Sequence, residues 1–139
     1  MAKSHQTHIR VRGYHLDLFL HVNNARYLEF LEEARWSYFE DEALTPLFWQ
    51  RGYGMAVVNI NINYRHGAVF DDDLVIHTGF SLVRQRSAVL KQVITLKNTD
   101  TVVADAEIVF VAVDKNSNKA VGFDDELKER LNSLLEKTA

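Results

Sequence analysis

The stretch from Tyr14 to Arg35, YHLDLFLHVNNARYLEFLEEAR, does most to limit what this chain can fold into. A short polar segment carrying Asp17, His21, Asn23 and Asn24 runs straight into a long segment of helical spacing. Tyr27, Leu28, Leu31, Ala34 and Tyr38 stand three and four residues apart, which predicts a helix with one broad apolar face. Asn23 or Asn24 can cap its start by accepting an orphan backbone N–H, and the helix should run to Phe39 or Glu40. Unpaired N–H groups at such a start attract negative charge, so chemistry is expected where the polar segment meets the helix.

Nearly everything after this helix reads as sheet. Met55 to Arg65, MAVVNININYR, alternates strictly, with Val58, Ile60, Ile62 and Tyr64 on one face and Val57, Asn59, Asn61 and Asn63 on the other. The alternation and the β-branched content predict a strand. Its row of asparagines suits solvent, a polar pocket or a partner chain, and the strand could pair with its own copy across a two-fold. Further strands are predicted at Thr7 to Arg12, Leu74 to Leu82, Ser87 to Leu96 and Thr101 to Val113. Turns fall at His66-Gly67, Val83 to Arg86, KNTD and DKNSNK. Thr45-Pro46 can start a helical turn within the irregular Asp41 to Gly54 segment. Asp124 can cap a final helix whose Leu127, Leu131, Leu134 and Leu135 form one stripe. The string is strand, helix, four strands in meander, short helix. A curved antiparallel sheet wrapped around the long helix, an α+β layout, would bury both apolar surfaces.

Composition narrows the function. With 139 residues, 47% apolar and 25% charged, one ordinary soluble domain spanning 1–139 is expected, with a cytoplasmic location. The formal net charge of −3, without a basic block, argues against nucleic acid as a partner. The absence of cysteine excludes disulfides, thiolate metal sites and cysteine nucleophiles. No signal peptide or membrane span is visible in MAKSHQTHIRVRG or beyond.

Each candidate residue has a plain reading beside a chemical one. Asp17 is either a loop carboxylate capping amides or a base or nucleophile beside helix-start N–H groups. His21, four residues on, suits a structural role in orienting the loop or Asp17 better than proton transfer, and no second ligand pair accompanies it for a metal. Asn23 and Asn24 cap the helix or help polarise a carbonyl. Tyr14 and Tyr27 read as packing residues with one polar contact each. Glu32 and Arg35 can form a structural i, i+3 ion pair, able to reach a second chain. Phe39, Phe48, Trp49 and Tyr53 are either core or the wall of an apolar pocket.

The same residues carry a family resemblance. Asp17, His21-Val22-Asn23-Asn24-Ala25, Tyr27-Leu28 and then Glu32 to Arg35 fit D-x-x-x-H-V-N-N-A-x-Y-L followed by E-x-A-R. This pattern resembles the hotdog-fold thioesterases related to 4-hydroxybenzoyl-CoA thioesterase. With VRGYHLD, VVNININYR and QVITL, the likeness extends from Ile9 to about Leu131 and is strongest to the bacterial long-chain acyl-CoA thioesterases. It implies a hotdog fold, with a curved antiparallel sheet around one long central helix and a short C-terminal helix. It implies hydrolysis of acyl-CoA to free acid and CoA, with no metal and no cofactor beyond the substrate's own CoA. It implies Asp17 as general base or nucleophile and backbone N–H near the helix start as oxyanion hole. It also implies a homodimer at minimum, commonly a homotetramer, with sites at the subunit interface. Some relatives carry histidine where this chain has Asn24, so a histidine-assisted step at that position does not transfer. For the CoA phosphates, Arg65 and Arg86 are the arginine candidates, ahead of Arg84. Two other functions fit the residues: a hotdog enoyl-CoA hydratase, and a binding module for acyl-CoA or an acyl carrier without chemistry.

Overall fold

The expected long helix, α1 (Asn24–Asp41), packs on a six-stranded antiparallel sheet in the computed structural model, which describes residues 4–135. The strands are β1 (His5–Arg10), β2 (Tyr53–Tyr64), β3 (Asp73–Val83), β4 (Ala88–Leu96), β5 (Val102–Asp114) and β6 (Lys119–Val121). A short helix α2 (Leu44–Trp49) follows α1, and α3 (Asp125–Ser133) ends the described chain. Asn23 is the N-cap of α1: its side-chain oxygen accepts the Ala25 N–H at 2.9 Å.

The apolar face of α1 is rotated slightly from the one expected. Tyr27, Phe30, Leu31, Ala34, Tyr38 and Phe39 are buried, whereas Leu28 is 36% exposed. Phe30 completes the 27, 30, 31, 34, 38 ladder, and Leu28 lies on its flank, toward β2. Behind this face, Phe80 packs at 5.7 Å from Tyr38 and 6.0 Å from Phe110, and Phe110 meets Phe48 and Phe123. Asp124 caps α3 through the Leu127 N–H at 2.9 Å, so that Leu127 and Leu131 enter the core with Leu134 and Leu135 partly buried beside them.

Two expectations about the sheet are corrected. The strands after α1 do not all meander: the order is β1-β3-β4-β5-β2, with β6 paired to β5. Of the four strands expected to meander, β3, β4 and β5 follow one another, while β2 lies at the far edge. The connection 65–72 therefore crosses the end of the sheet, and its backbone groups find partners on the way. Arg65 and His66 donate to Val103 O, Ala68 O accepts from Val22 N–H, and Asp71 donates to Val11 O. The second correction is a bulge at Val58. Val57 opposes Phe110 and Asn59 opposes Val109, so the strict alternation breaks. Val57 turns to the inner face with Met55, and Val58 is left on the outside. The strand β6 is not foreseen in the sequence, where only its first residue, Lys119, falls in the predicted turn, because three residues are too few to show a period. No helix among the described residues is long and apolar enough to cross a membrane.

Candidate active site

The segment between β1 and α1 folds back on itself before the helix begins. Gly13–His15 forms a 3-10 turn, closed by the Arg12 N–H donating to His15 Nδ1 at 2.8 Å. Leu16 and Val22 then pair as an antiparallel bridge, and the Asp17 N–H donates to His21 O at 2.8 Å. Asp17 and His21 thus stand at the base of a small hairpin whose tip is Leu18-Phe19-Leu20. Leu20 sits at φ 63°, in the left-handed region where a branched side chain is uncommon, and Asp71 in the crossing connection does the same at φ 71°. The half-buried Asp17 carboxylate accepts the Phe19 N–H through Oδ1 at 2.9 Å. Its other oxygen has no partner among the described residues.

The start of α1 sits beside this hairpin. The Asn23 side chain takes the Ala25 N–H, and Asn23 O takes the Arg26 N–H at 2.9 Å. That leaves the Asn24 N–H as the helix-start donor without a partner among the described residues. The Asn24 side chain is exposed, and the Asn24 backbone carbonyl accepts from the Tyr64 hydroxyl at 3.2 Å. Below, the Tyr27 hydroxyl accepts the Ala68 N–H at 3.1 Å. Burial pushes the Tyr27 phenol above its ordinary pKa, and the carboxylates of Asp72 and Asp17 add to the shift. His21 meets Asp17 through the backbone bond above, and no side-chain hydrogen bond joins its ring to Asp17 among the described residues. The ring lies against Gly67, where an added Cβ would come 2.7 Å from it. Glycine at 67 is what lets the crossing connection pass under the histidine.

An apolar cavity of about 220 Å³ opens farther along α1. All four aromatic candidates, Phe39, Phe48, Trp49 and Tyr53, line it, with Met55, Val57, Ile108 and Phe110. Between it and Asp17, the flank of α1 toward β2 is open, because Leu28, Trp36, Val57, Ile60 and Tyr64 are all partly exposed. Glu32 and Arg35 border the cavity but do not form the expected ion pair within 4 Å among the described residues. Arg35 instead donates to Gln92 Oε1 at 3.2 Å. Gln92 and Thr78, both fully buried, were missed in the sequence. A signal existed: Gln92 occupies the inward register of Ala88, Leu90 and Ile94, where an apolar residue is expected. Burial lowers the Arg35 guanidinium from its ordinary pKa, opposed by Glu32.

The arginine candidates lie apart. Arg65 is at the Asp17 end of the sheet and is bonded to Asp105, whose carboxyl it holds below the ordinary range. Arg86 is in the β3–β4 turn, donating to Ala120 O at 3.2 Å. The eleven residues of β3 separate the two ends by roughly 35 Å, so one chain does not bring them to the same place. Among the described residues no cluster of three His, Asp or Glu is placed to hold a metal ion.

Comparison with known proteins follows the same lines. A sequence profile of the thioesterase-like superfamily matches residues 11–131. The long-chain acyl-CoA thioesterase FadM of Escherichia coli (strain K12) is 48% identical over 130 residues, covering 94% of this chain and 98% of FadM. The crystal structure of YbaW, a probable thioesterase from Escherichia coli, superposes with a TM-score of 0.88 at 48% identity, covering 94% of this chain and 98% of that one. Slr0204, a 1,4-dihydroxy-2-naphthoyl-CoA thioesterase from Synechocystis, superposes with a TM-score of 0.80 at 15% identity, covering 93% and 96%. At that identity the likeness concerns the fold alone, and the fold is the hotdog.

Proposed function

Because the chain belongs to the thioesterase-like superfamily, we propose that it hydrolyses long-chain fatty acyl-CoA thioesters to free fatty acid and CoA. One juxtaposition carries the reading. A carboxylate with one oxygen unbonded among the described residues, Asp17, sits in the hairpin that leads into α1. The Asn24 N–H at the start of that helix, at the head of an apolar seam, has no partner among the described residues. The thioester carbonyl oxygen takes the Asn24 N–H, and the dipole of α1 stabilises the charge that develops there. Asp17 removes a proton from water as the water oxygen bonds to the carbonyl carbon. The C–S bond then breaks, and the CoA sulfur leaves with that proton. Alternatively Asp17 attacks first and water hydrolyses the resulting anhydride. Either route uses the same two groups and needs only water as co-reactant. His21 and Asn23 serve as positioning residues, one seating the hairpin and the other fixing the helix start.

Long chains suit the seam, since α1 rises roughly 20 Å from Asn24 to Phe39. The reading includes a homodimer at least. The twelve-residue edge strand β2 is open on one side, and Val57, Val58, Ile60 and Tyr64 on it are exposed. Two antiparallel copies of β2 about a two-fold would set the Asp17 end of one chain beside the opposite end of the other. In that arrangement Arg65 of one chain and Arg86 of its partner could serve a single CoA. A homotetramer and a cytoplasmic location complete the proposal.

Thiol release from acyl-CoAs of increasing chain length, with wild type and Asp17→Ala side by side, tests the reading. Turnover that rises with chain length and falls at least ~10²-fold in the variant is expected. Full activity in the variant removes Asp17 from the mechanism. No thiol release from any substrate leaves a binding module.

A further inference from the structure

The cavity beside α1 is more polar in one respect than a plain acyl chain requires. Phe39, Phe48, Met55, Val57, Ile108 and Phe110 supply the wall that such a chain would want. Arg35 and Thr45 line the same space. The Thr45 hydroxyl is shielded from solvent and has no hydrogen-bond partner among the described residues. Leaving such a group unsatisfied forfeits the hydrogen bonds it made with water in the unfolded chain. Arg35 uses one guanidinium N–H, on Gln92 Oε1. Nothing about that contact is loose. The Gln92 amide nitrogen donates to Leu31 O at 3.0 Å and to Thr78 Oγ1 at 3.1 Å, and both Gln92 and Thr78 are fully buried. The amide therefore cannot flip, and its oxygen stays aimed at Arg35. The guanidinium is held in place by a network whose other members are already satisfied, with N–H groups to spare. Glu32, also bordering the cavity, is the one carboxylate near it. It offsets the charge of Arg35, so an added carboxylate would face repulsion, whereas a neutral oxygen would not.

We propose that this cavity binds an acyl chain bearing a neutral oxygen function, a hydroxyl or an oxo group, remote from the thioester, with Arg35 and Thr45 as its hydrogen-bond partners. The proposal rests on the acyl-CoA thioesterase reading and names its substrate class. Arg35 lies three turns of α1 beyond Asn24, roughly 16 Å along the axis, so the oxygen belongs in the middle or far part of the chain and not at its third carbon. A hydroxyl suits the pair better than an oxo group, because it can accept from Arg35 and exchange donor and acceptor roles with Thr45.

The test compares kcat/KM for acyl-CoAs of one chain length: plain, 3-hydroxy, mid-chain hydroxy, mid-chain oxo and ω-carboxy. Wild type is expected to favour the mid-chain hydroxy substrate over the plain one by about tenfold, the worth of one hydrogen bond to a charged group, with no gain for the 3-hydroxy substrate. Arg35→Met should collapse that ratio to near one. Thr45→Val, nearly isosteric and easier on folding, should reduce it several-fold. A wild-type ratio near one, an equal gain at the third carbon, or a ratio unmoved by both variants overturns the proposal; the last would mean that something other than substrate satisfies these donors. A preference for the ω-carboxy chain overturns the neutral class. If no acyl-CoA releases thiol, the thioesterase reading fails by itself. Calorimetric binding of mid-chain hydroxy and plain fatty acids to wild type and Arg35→Met then decides the cavity question separately.

Discussion

The two flanks of α1 have opposite characters. Toward β1 and β3 the helix is sealed: Leu31 is 1% exposed and Ala34 fully buried, with Phe30 and Tyr38 close to it. Gln92 and Thr78 on the sealed side are hydrogen-bonded to each other and to the helix, whereas His5 Nδ1 and Thr7 Oγ1 on β1 are buried without a partner among the described residues. Toward β2 the helix is open, with Leu28 and Trp36 facing Ile60 and Tyr64 across a partly exposed seam. The Asn24 N–H and the Thr45 hydroxyl, without partners among the described residues, lie along this side or at its ends. Close apolar packing on one flank fixes the fold and leaves the other flank free for a ligand or a second chain.

The comparison can be broken at several points, the largest effect coming first. Asp17→Asn keeps a side-chain acceptor for the Phe19 N–H but loses the base. Thiol release should fall ~10²–10⁴-fold while the thermal midpoint stays near wild type. A large loss of stability would instead make Asp17 a structural cap. Next, Leu31→Ala on the sealed flank should cost roughly 2–5 kcal/mol in denaturant unfolding, while Leu28→Ala on the open flank costs less than about 1 kcal/mol and acts mainly on KM. Equal costs would mean that a second chain seals the open flank as tightly as the sheet seals the other.

Ile60→Asp puts a charge on the open edge and should weaken self-association by roughly 2 kcal/mol or more in sedimentation equilibrium. An unchanged association constant would move the dimer contact away from β2. Asn23→Ala removes the cap of α1 and should lower stability by about 1 kcal/mol, largely restored in Asn23→Asp. The smallest effect is in pH dependence. Burial, with Arg26 and Arg12 nearby, holds the His15 imidazole below its ordinary value of 6.5. The unfolded chain then binds the proton more readily. The stability owed to neutral His15 is complete above about pH 6.5 and drains away as pH falls through the lower folded value. His15→Asn, which can still accept the Arg12 N–H, should flatten the thermal midpoint against pH on the acid side; an unaltered slope would show that other groups set it.

Much of this was legible in the residues. The helix and a cap at Asn23 or Asn24, the strands β3, β4 and β5, and the capped α3 follow from period and turn chemistry, which act over a few neighbours; the structure chooses Asn23. The motif around Asp17 was legible as a family pattern, and its position at a helix start as local physics. Strand order was not, because 65–72 could as well have turned β3 back along β2. Its crossing is chosen by Val103, Val22 and Val11, whose backbone groups are distant in sequence. The bulge at Val58 was hidden because MAVVNININYR alternates on paper whether or not one residue is extruded.

The sequence by itself determined that one amphipathic helix must be covered by an antiparallel sheet, since periodic burial is written into residue order. It also determined which carboxylate stands before that helix. Only the tertiary structure decided that the sheet covers the helix on one side alone, that β2 ends at an open edge, and that Arg35 and Thr45 share a cavity. Those outcomes depend on which distant backbone and side-chain groups satisfy one another, and no local period encodes that choice.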